Sequence, residues 1–452
     1  MTTSLVCEAV LLAATGPPSW AIPAGGAALA LLLLVLGLRS GSRRRLIDNV
    51  PTSKTAGVFI GLVELNGAAE SERPLRSFLA EVPCVSYRWD IEEHWSRTVT
   101  ETYRDSQGRT QTRTRTESGW KTVADGGESS VFYLQDDLDV IRVNPAGAKV
   151  EHEQVFRQEC EPGDPLYYGK GPSDSVSHSD HRRQFTESAI PLHAPLYVMG
   201  QSRLREDVVA PEIAQSRQAP LFLISTRSEK QITRGMAAGF WVLGCLAMVL
   251  AVGAWVLDDV LRHVEPASRV ATYFTVAAAA VGGWTLGWVW MVYNSMADLR
   301  QRVSQGWANI DVQLKRRSDL IPNLVGAVKG LRDHERTVQE QVALLRAQAE
   351  ATRPGVAGPD PEPCRKAIVA IQEAYPQLKA DQGFLKLQAE LTDTEQRIAL
   401  AREYFNTIAA HYNTRLQIVP DRYVCALAGL RAQPLLAAAD FERAAVRVNL
   451  AG

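Results

Sequence analysis

The sequence predicts a multi-pass membrane protein of the α+β class, with a β-rich cytoplasmic domain and a C-terminal antiparallel α-helical bundle. Three observations predict it. Three uncharged apolar blocks are each about 20 residues long, the length that crosses a ~30 Å hydrocarbon core. Short β-branched and aromatic runs, separated by turn residues, fill the region between the first two blocks. After the third block the apolar residues recur in steps of three and four, the spacing of amphipathic helices that pack together.

Bulk composition narrows the function classes. Among 452 residues, Lys+Arg number 49 against Asp+Glu 50, for a net charge of −1. A nucleic-acid partner is not expected, because the basic excess that neutralises phosphates is missing. Hydrophobic residues at 46 % and charged residues at 22 % exclude a disordered chain. The length suits two or three units of ~150 residues. The six cysteines (Cys7, Cys84, Cys160, Cys245, Cys364, Cys425) come no closer than 61 positions. That spacing excludes a zinc finger, a RING module and a C-x-x-C dithiol, and the chain is not cysteine-dense enough for a disulfide framework.

The predicted order is a short external N-terminus (1–19), a transmembrane helix (20–38), a β-rich domain (51–232), transmembrane helices at 236–257 and 270–292, and a helical bundle (293–445). Pro17, Pro18 and Pro23 interrupt the first half of block Ala9–Leu38, so its helix is Trp20–Leu38. Met1–Ser19 holds no Lys or Arg. It therefore lacks the positive region of a cleaved signal peptide, and the block reads as a retained anchor. Met236–Leu257 and Val270–Val292 contain no charged residue. Trp255, Trp284, Trp288, Trp290 and Tyr293 lie near span ends, where amphipathic rings favour the headgroup layer. Gly283 and Gly287 form a small-xxx-small pair of the kind that brings helices together.

Orientation follows from the basic flanks. Arg39, Arg43, Arg44 and Arg45 follow the first span, Arg227, Lys230 and Arg234 precede the second, and Arg300, Arg302, Lys315, Arg316 and Arg317 follow the third. The loop Asp258–Arg269 offsets Arg262 and Arg269 with Asp258, Asp259 and Glu265. The N-terminus is thus expected outside and both main domains inside, in a bacterial-type inner membrane whose lipid bilayer is the first partner.

Strands are expected at Gly57–Leu65, Cys84–Ile91, Val131–Leu134, Asp139–Val143 and Pro220–Ser225. No strand–helix alternation appears, so an antiparallel arrangement is expected. Thr98–Ser118 reads as a long polar hairpin or a loop. Its Arg104, Arg109, Arg113 and Arg115 interleave with Glu101, Asp105 and Glu117. A solvated excursion is the plainer reading, and contact with anionic lipid headgroups the alternative. His178 and His181 flank Asp180 in an H-x-x-H spacing, but no third ligand is fixed, so an exposed loop is expected there rather than a metal site. Pro74-Leu-Arg-Ser, Pro83-Cys-Val-Ser-Tyr-Arg-Trp-Asp-Ile-Glu-Glu, Gly119-Trp-Lys-Thr-Val, Val131-Phe-Tyr-Leu and Asn144-Pro-Ala-Gly-Ala-Lys-Val together resemble the GIDE-type domain of membrane E3 ubiquitin ligases, over about residues 55–230. In those ligases a separate zinc-binding RING module carries the chemistry. The resemblance therefore implies a membrane-adjacent cytoplasmic domain and not ubiquitin transfer.

In the last region Leu299, Val303, Trp307, Ile310 and Leu314 form one stripe. Leu324, Val328, Leu331, Val338, Val342 and Leu345 form a second. Leu391, Ile398, Phe405 and Tyr412 form a third, with Ala401 and Ile408 in the neighbouring register. Ser318 or Asp319 is expected to cap a new helix with Pro322 in its first turn. Arg353–Pro363 reads as a Pro/Gly-rich connector, and Pro420-Asp421 as the start of a final segment. Asp311, Asn323, Glu390 and Asn406 are expected to cap helices or to hydrogen-bond across the bundle. The run from Gly306-Trp-Ala-Asn-Ile-Asp to Gly330, His334-Glu335, and Gly383-Phe-Leu-Lys-Leu through Tyr404-Phe-Asn-Thr407 resemble the LemA family. That resemblance, over about residues 293–445, implies an N-out membrane helix leading into long cytoplasmic helices and supplies no catalytic residue.

No nucleophile elbow, Walker loop, dinucleotide-binding glycine pattern or H-E-x-x-H is present. The sequence therefore assigns no catalytic, cofactor-binding or metal residue and no cofactor. The expected function is a membrane-anchored scaffold or adaptor, in envelope organisation, stress response or membrane remodelling. Two alternatives stand beside it: a ligase-like component without its own RING, and a regulatory subunit of a membrane protease. Self-association through the helical stripes and an unidentified protein partner complete the expected contacts.

Overall fold

The computed structural model describes residues 20–104, 110–205, 210–216, 221–329 and 382–436. Several expectations fall elsewhere: the external segment 1–19, Arg109, the stripe residues Leu331 to Leu345, His334 and Glu335, and the connector 353–363 lie outside the described residues. The chain forms two compact units. One is Thr52–Ser228; the other joins Met1–Pro51 to Glu229–Gly452.

The first unit is built on strands β1 (Thr52–Ser53), β2 (Gly61–Glu70), β3 (Leu75–Arg76), β4 (Pro83–Arg104), β5 (Thr110–Ser129), β6 (Phe132–Gln135), β7 (Val140–Val143), β8 (Lys149–Glu151), β9 (Glu153–Cys160), β10 (Ser179–Pro191), β11 (Pro195–Leu204), β12 (Pro211–Ala214) and β13 (Leu223–Ser225). Strands β2, β6, β7, β12 and β11 pair in that order, and β11 pairs back to β2. The result is a closed five-stranded barrel with the strand connectivity of an OB fold. Closure leaves none of these strands as a bare edge. Val63, Leu65, Phe132, Leu134, Val143 and Val198 fill its interior and are fully buried. At Gly67 a Cβ would stand 2.5 Å from the Gln135 carbonyl oxygen, so β2 and β6 approach this closely only because position 67 is glycine.

The antiparallel expectation holds for most pairs and fails for three. β1–β2, β7–β12 and β8–β13 are parallel. Ring closure explains β7–β12. Five strands cannot all alternate in direction around a circle, so at least one pair must be parallel.

A second sheet runs β3-β4-β10-β9, with β5 on β4. The stretch expected as a hairpin or loop is the outer part of the β4–β5 hairpin, paired out to Arg104 opposite Thr110. Thr98, Thr100 and Thr102 stand directly opposite Thr116, Thr114 and Thr112. Such β-branched cross-strand pairs support a ribbon that has no core beneath it. Arg97 and Glu117 form an ion pair of 2.7 Å on the other face.

Three buried charged side chains, Glu93, Arg183 and Glu187, hold the base of this sheet. Arg183 is buried, and all five of its N–H donors are used. Nε and Nη2 bond Glu93 at 3.2 and 3.1 Å, Nη1 bonds the carbonyls of Tyr167 and Pro172, and Nη2 also bonds that of Asp174. Its guanidinium lies 4.1 Å from the centre of the Tyr167 ring. Glu187 accepts the backbone N–H groups of Phe78, Leu79 and Ala80. None of the three is left without hydrogen-bond partners, which burying a charge requires.

The second unit contains α1 (Ala21–Asp48), α2 (Glu229–Leu261), α3 (Val270–Lys329), α4 (Gln382–Arg415) and α5 (Asp421–Leu427). The first three are long and apolar enough to cross a membrane, and each helix runs past its apolar block. Glycines set their spacing. A Cβ on Gly26 would lie 2.1 Å from the Ala254 side chain, and one on Gly287 would lie 2.4 Å from Leu38. Gly287 thus packs within the chain, while nothing lies within 4 Å of a Cβ at Gly283. Trp284 packs between α2 and α3. It stacks on Phe240 and meets Trp241, residues near the start of the second apolar block. Trp290 and Tyr293 are exposed.

No helix start appears at Ser318 or Asp319. α3 is one helix of 60 residues, with Pro322 inside it. An interior proline removes one hydrogen bond and costs about 3 kcal/mol. The turns before it are held against α4: Arg317 is buried and lies 3.5 Å from Glu395, and Arg316 lies 3.8 Å from Asp393. Packing overrides the local signal. Leu299, Val303, Ile310 and Leu314 are buried in one cluster with Ile398, Phe405, Ile408 and Tyr412, and Leu391 is buried as well. Trp307 meets Phe405 edge-on at 5.4 Å. The pairs 307–405 and 317–395 fix α3 and α4 as antiparallel. α5 begins at Asp421, with Pro420 as its N-cap, as expected.

Replacing Arg183 with Met leaves Glu93 charged and buried. A loss of about 3 kcal/mol is expected, read as a lower denaturant midpoint for tryptophan fluorescence of the full protein. The double change Arg183→Met with Glu93→Met should recover part of that loss.

Candidate functional site

The residues that join distant parts of the helical unit meet where α1 ends. The basic run after the first apolar block sends Arg45 inward. Its Nη1 and Nη2 donate to Asp421 Oδ2 and Oδ1 at 2.9 and 3.1 Å. Arg415, on the last turn of α4, donates through Nε to Asp421 Oδ2 at 2.8 Å. Arg415 Nη1 also reaches Asn49 Oδ1 at 3.4 Å. The Asn49 amide in turn donates to the carbonyl and hydroxyl of Ser295 on α3 at 3.1 and 3.0 Å. One carboxylate and one carboxamide thereby tie α1, α3, α4 and α5 together. Asp421 opens α5, where the helix dipole also favours a negative charge.

The electrostatics follow from this count of charges. Burial pushes the Asp421 carboxyl up, but hydrogen bonding by Arg45 and the charge of Arg415 outweigh it and hold it below the usual carboxylate range. His411 lies one turn before Arg415. Burial, then the neighbouring Arg415 charge, hold its ring below the usual imidazole range, against a smaller opposing pull from Asp48. Its Nε2 is buried with no hydrogen-bond partner among the described residues. The site holds two guanidiniums on one carboxylate, an arrangement that fastens the helices together.

The polar positions singled out from sequence separate. Asp311 is half-buried on α3, and Asn323 is exposed. The Glu390 carbonyl accepts the Thr394 hydroxyl at 2.7 Å within α4. Asn406 bonds across to the chain after α5: its amide donates to the Leu436 carbonyl at 3.1 Å and its oxygen accepts the Leu436 N–H at 2.9 Å. His178 and His181 are exposed, both with φ of 60°. Asp180 turns away from them to pair with His94 at 2.5 Å and Arg182 at 3.1 Å. Among the described residues no three His, Cys, Asp or Glu side chains come together as a metal set.

Residues 306–450 match the LemA family. Residues 100–257 match the GIDE domain, described as E3 Ubiquitin ligase. No curated protein matches the chain. The LemA match starts inside α3 and includes Asn406, Arg415 and Asp421, but not Arg45 or Asn49. The GIDE match starts inside β4 and ends inside α2. A zinc-held ligase module does not fit the cysteines present. Cys84, Cys160, Cys245 and Cys425 are free, and burial, with a smaller push from Glu187, drives the Cys84 thiol up to about 11.

Sequence reasoning did not find Arg45, Arg415 or Asp421. Arg45 and Asp421 are 376 positions apart, and no local pattern links such positions. The only signal was the arginine run itself.

Asp421→Ala leaves two half-buried cations without the carboxylate they share, whereas Arg45→Ala leaves a carboxylate that still has Arg415. The first should cost more, about 4 kcal/mol against about 2 kcal/mol, measured by thermal unfolding in detergent. Because the folded Asp421 is held below its ordinary value, its contribution is complete above about pH 4 and fades as pH falls through the lower folded value. The acid limb of the melting curve should flatten in Asp421→Asn.

Proposed function

We propose that the protein is a membrane-anchored scaffold or adaptor of the LemA type, serving envelope organisation or stress response. The observation that carries this reading is the Arg45–Asp421–Arg415 junction. It fastens an apolar helix to the helices that match the LemA family. Leu31, Val249, Phe274, Leu286 and Trp290 expose large apolar surfaces on α1, α2 and α3. Such a patch calls for hydrocarbon around it, so the lipid bilayer is one partner. The basic flanks support an N-terminus outside, three passes, and both modules in the cytoplasm of a cell with a bacterial-type inner membrane. Copies of the same chain and a further protein are the other partners; the balanced charge speaks against nucleic acid.

A second reading is favoured by the match of residues 100–257: a ligase component whose catalysis comes from a partner in trans. Zinc at one equivalent in the purified chain, or ubiquitin transfer by it alone, would move the assignment there. Crosslinking pull-down from solubilised membranes tests the scaffold reading. It should recover a defined protein in fixed ratio, and a protease in that position would instead indicate a regulatory subunit. For orientation, Arg39→Ala, Arg43→Ala and Arg44→Ala together should lower the outside fraction of a reporter fused at residue 1. An unchanged fraction would mean that α2 and α3 set the orientation.

A further inference from the structure

Where α3 leaves its apolar block, one face of the helix carries a small open cavity. Tyr293, Ala297, Arg300, Gln301 and Ser304 line it and are all exposed. They are separated by steps of three and four, which places them on one side of an α-helix. Leu430, half-buried on the segment after α5, completes the lining. The volume is about 320 Å³, at the lower end of the range for small-molecule sites, which begins near ~300 Å³. Ala297 makes the dip, because its short side chain stands between a tyrosine and an arginine.

The charge of this cavity is unbalanced. Two arginines lie on this stretch of α3. Arg302 is buried and pairs with Asp298 at 2.9 Å. Arg300 is exposed, and its guanidinium makes no hydrogen bond or ion pair among the described residues. No Asp or Glu lines the cavity. The neighbour that feels the Arg300 charge is Tyr412, whose side chain is buried and whose hydroxyl has no hydrogen-bond partner among the described residues. Burial pushes that hydroxyl up, and Arg300 draws it part of the way back. The Ser304 hydroxyl donates to the Arg300 carbonyl only at the long distance of 3.4 Å. A cation with polar groups beside it therefore stands open without a counter-charge.

Its height along α3 decides which anion suits it. Tyr293 directly follows the apolar block Val270–Val292. Arg300 lies eight residues past Val292 (300 − 292), about 12 Å of helix. Side chains on a helix lean back over the preceding turn, here toward the apolar block, and an arginine stretches its head further still. The headgroup layer is about 5–8 Å deep on each side of the hydrocarbon. One turn of backward lean, about 5 Å, brings the guanidinium into it.

We propose that this cavity binds the phosphate of a phospholipid with a net negative headgroup, in the leaflet that α3 leaves, with Arg300 as the ion partner and Gln301 and Ser304 as hydrogen-bond donors. The inference rests on the bilayer reading above and deepens it by naming a lipid class and a place. A guanidinium takes a phosphate through two parallel hydrogen bonds. The Tyr293 ring meets acyl chains with its body and headgroups with its hydroxyl. An anionic headgroup is preferred to a zwitterionic one, because the ammonium of the latter meets no carboxylate in the lining. Binding there fixes the depth at which α3 emerges.

The test uses the full chain in nanodiscs of equal parts phosphatidylglycerol and phosphatidylethanolamine. Native mass spectrometry of the released chain counts the lipids that stay bound. The wild-type chain should retain phosphatidylglycerol in preference to phosphatidylethanolamine. Arg300→Gln should lower that retention roughly tenfold, the loss of one charge-assisted contact, and Arg300→Lys should keep most of it. Ala297→Phe fills the dip without altering charge and should also lower it. Arg43→Gln removes an equal charge at an exposed position outside the cavity and should leave retention unchanged. Equal losses in Arg300→Gln and Arg43→Gln would mean diffuse surface attraction and overturn the proposal, as would equal retention of both lipids. Melting of the chain in phospholipid-free detergent separates the two sources of the anion. A rise in melting temperature with added phosphatidylglycerol that Arg300→Gln abolishes supports the lipid. A rise with inorganic phosphate alone, and none with phosphatidylglycerol, assigns the cavity to a free anion and overturns it. Without either addition Arg300→Gln and Ala297→Phe should melt as the wild type does, since both positions are exposed. A chain soluble without detergent would remove the bilayer reading itself, whereas a chain that enters nanodiscs and shows no headgroup preference removes only this inference.

Discussion

A single carboxylate carries the helical unit. Asp421 neutralises two guanidiniums that are 370 positions apart in the chain, Arg45 and Arg415 (415 − 45). Both cations are half-buried, and drawing either out of water without its counter-charge would cost far more than the pair does. Asp421 stands at the start of α5, directly after the turn that ends α4. The position of that turn therefore decides where the end of α1 is held. Asn49 extends the same logic to α3 through Ser295. The four helices are locked at one level by charge and hydrogen bonds, and along their lengths by glycine-mediated contact and by the Leu299-to-Leu314 stripe.

The length of α3 follows from that lock. A helix of 60 residues rises about 90 Å, far more than a bilayer needs. Its first third is apolar on all sides and its remainder is amphipathic, so one rigid rod passes from one environment into another. An antiparallel return helix covers the amphipathic part. Pro322 survives in the interior because the preceding turns are already fixed against α4 by Arg316 and Arg317.

Much of this was readable from residue spacing. The three apolar blocks became helices, and the stripes Leu299–Leu314 and Leu391–Tyr412 became the buried faces, because a period of 3.6 has a direct geometric meaning. Signals that rest on one residue fared worse. Pro322 promised a helix start, and packing overrode it. The parallel pair β7–β12 was not visible, since it follows from the closure of the ring and not from any strand's own composition. The junction was the least visible part of all. Arg45 looked like one of four arginines that set orientation, and its real partner lay near the other end of the sequence. Asn406 was read as a residue that hydrogen-bonds across helices. It does bond across, but to the chain after α5.

The stretches that match known families and the units that fold are not the same. The GIDE match begins at residue 100, inside β4. The barrel needs β2, Gly61–Glu70, because both β6 and β11 pair with it. A chain begun at residue 100 would leave those two strands with open edges and expose the side chains that face Val63 and Leu65. It would also strip the inner half of β4, including Glu93, from Arg183. The LemA match begins at Gly306 in the middle of α3 and so omits Ser295 as well as Arg45 and Asn49. Asp421 and Arg415 would remain without the helix they hold. In both units the groups that complete the fold lie upstream of the matched residues, which is why the whole chain from Ala21 onward, and not either matched segment, is the physical object that any function must act through.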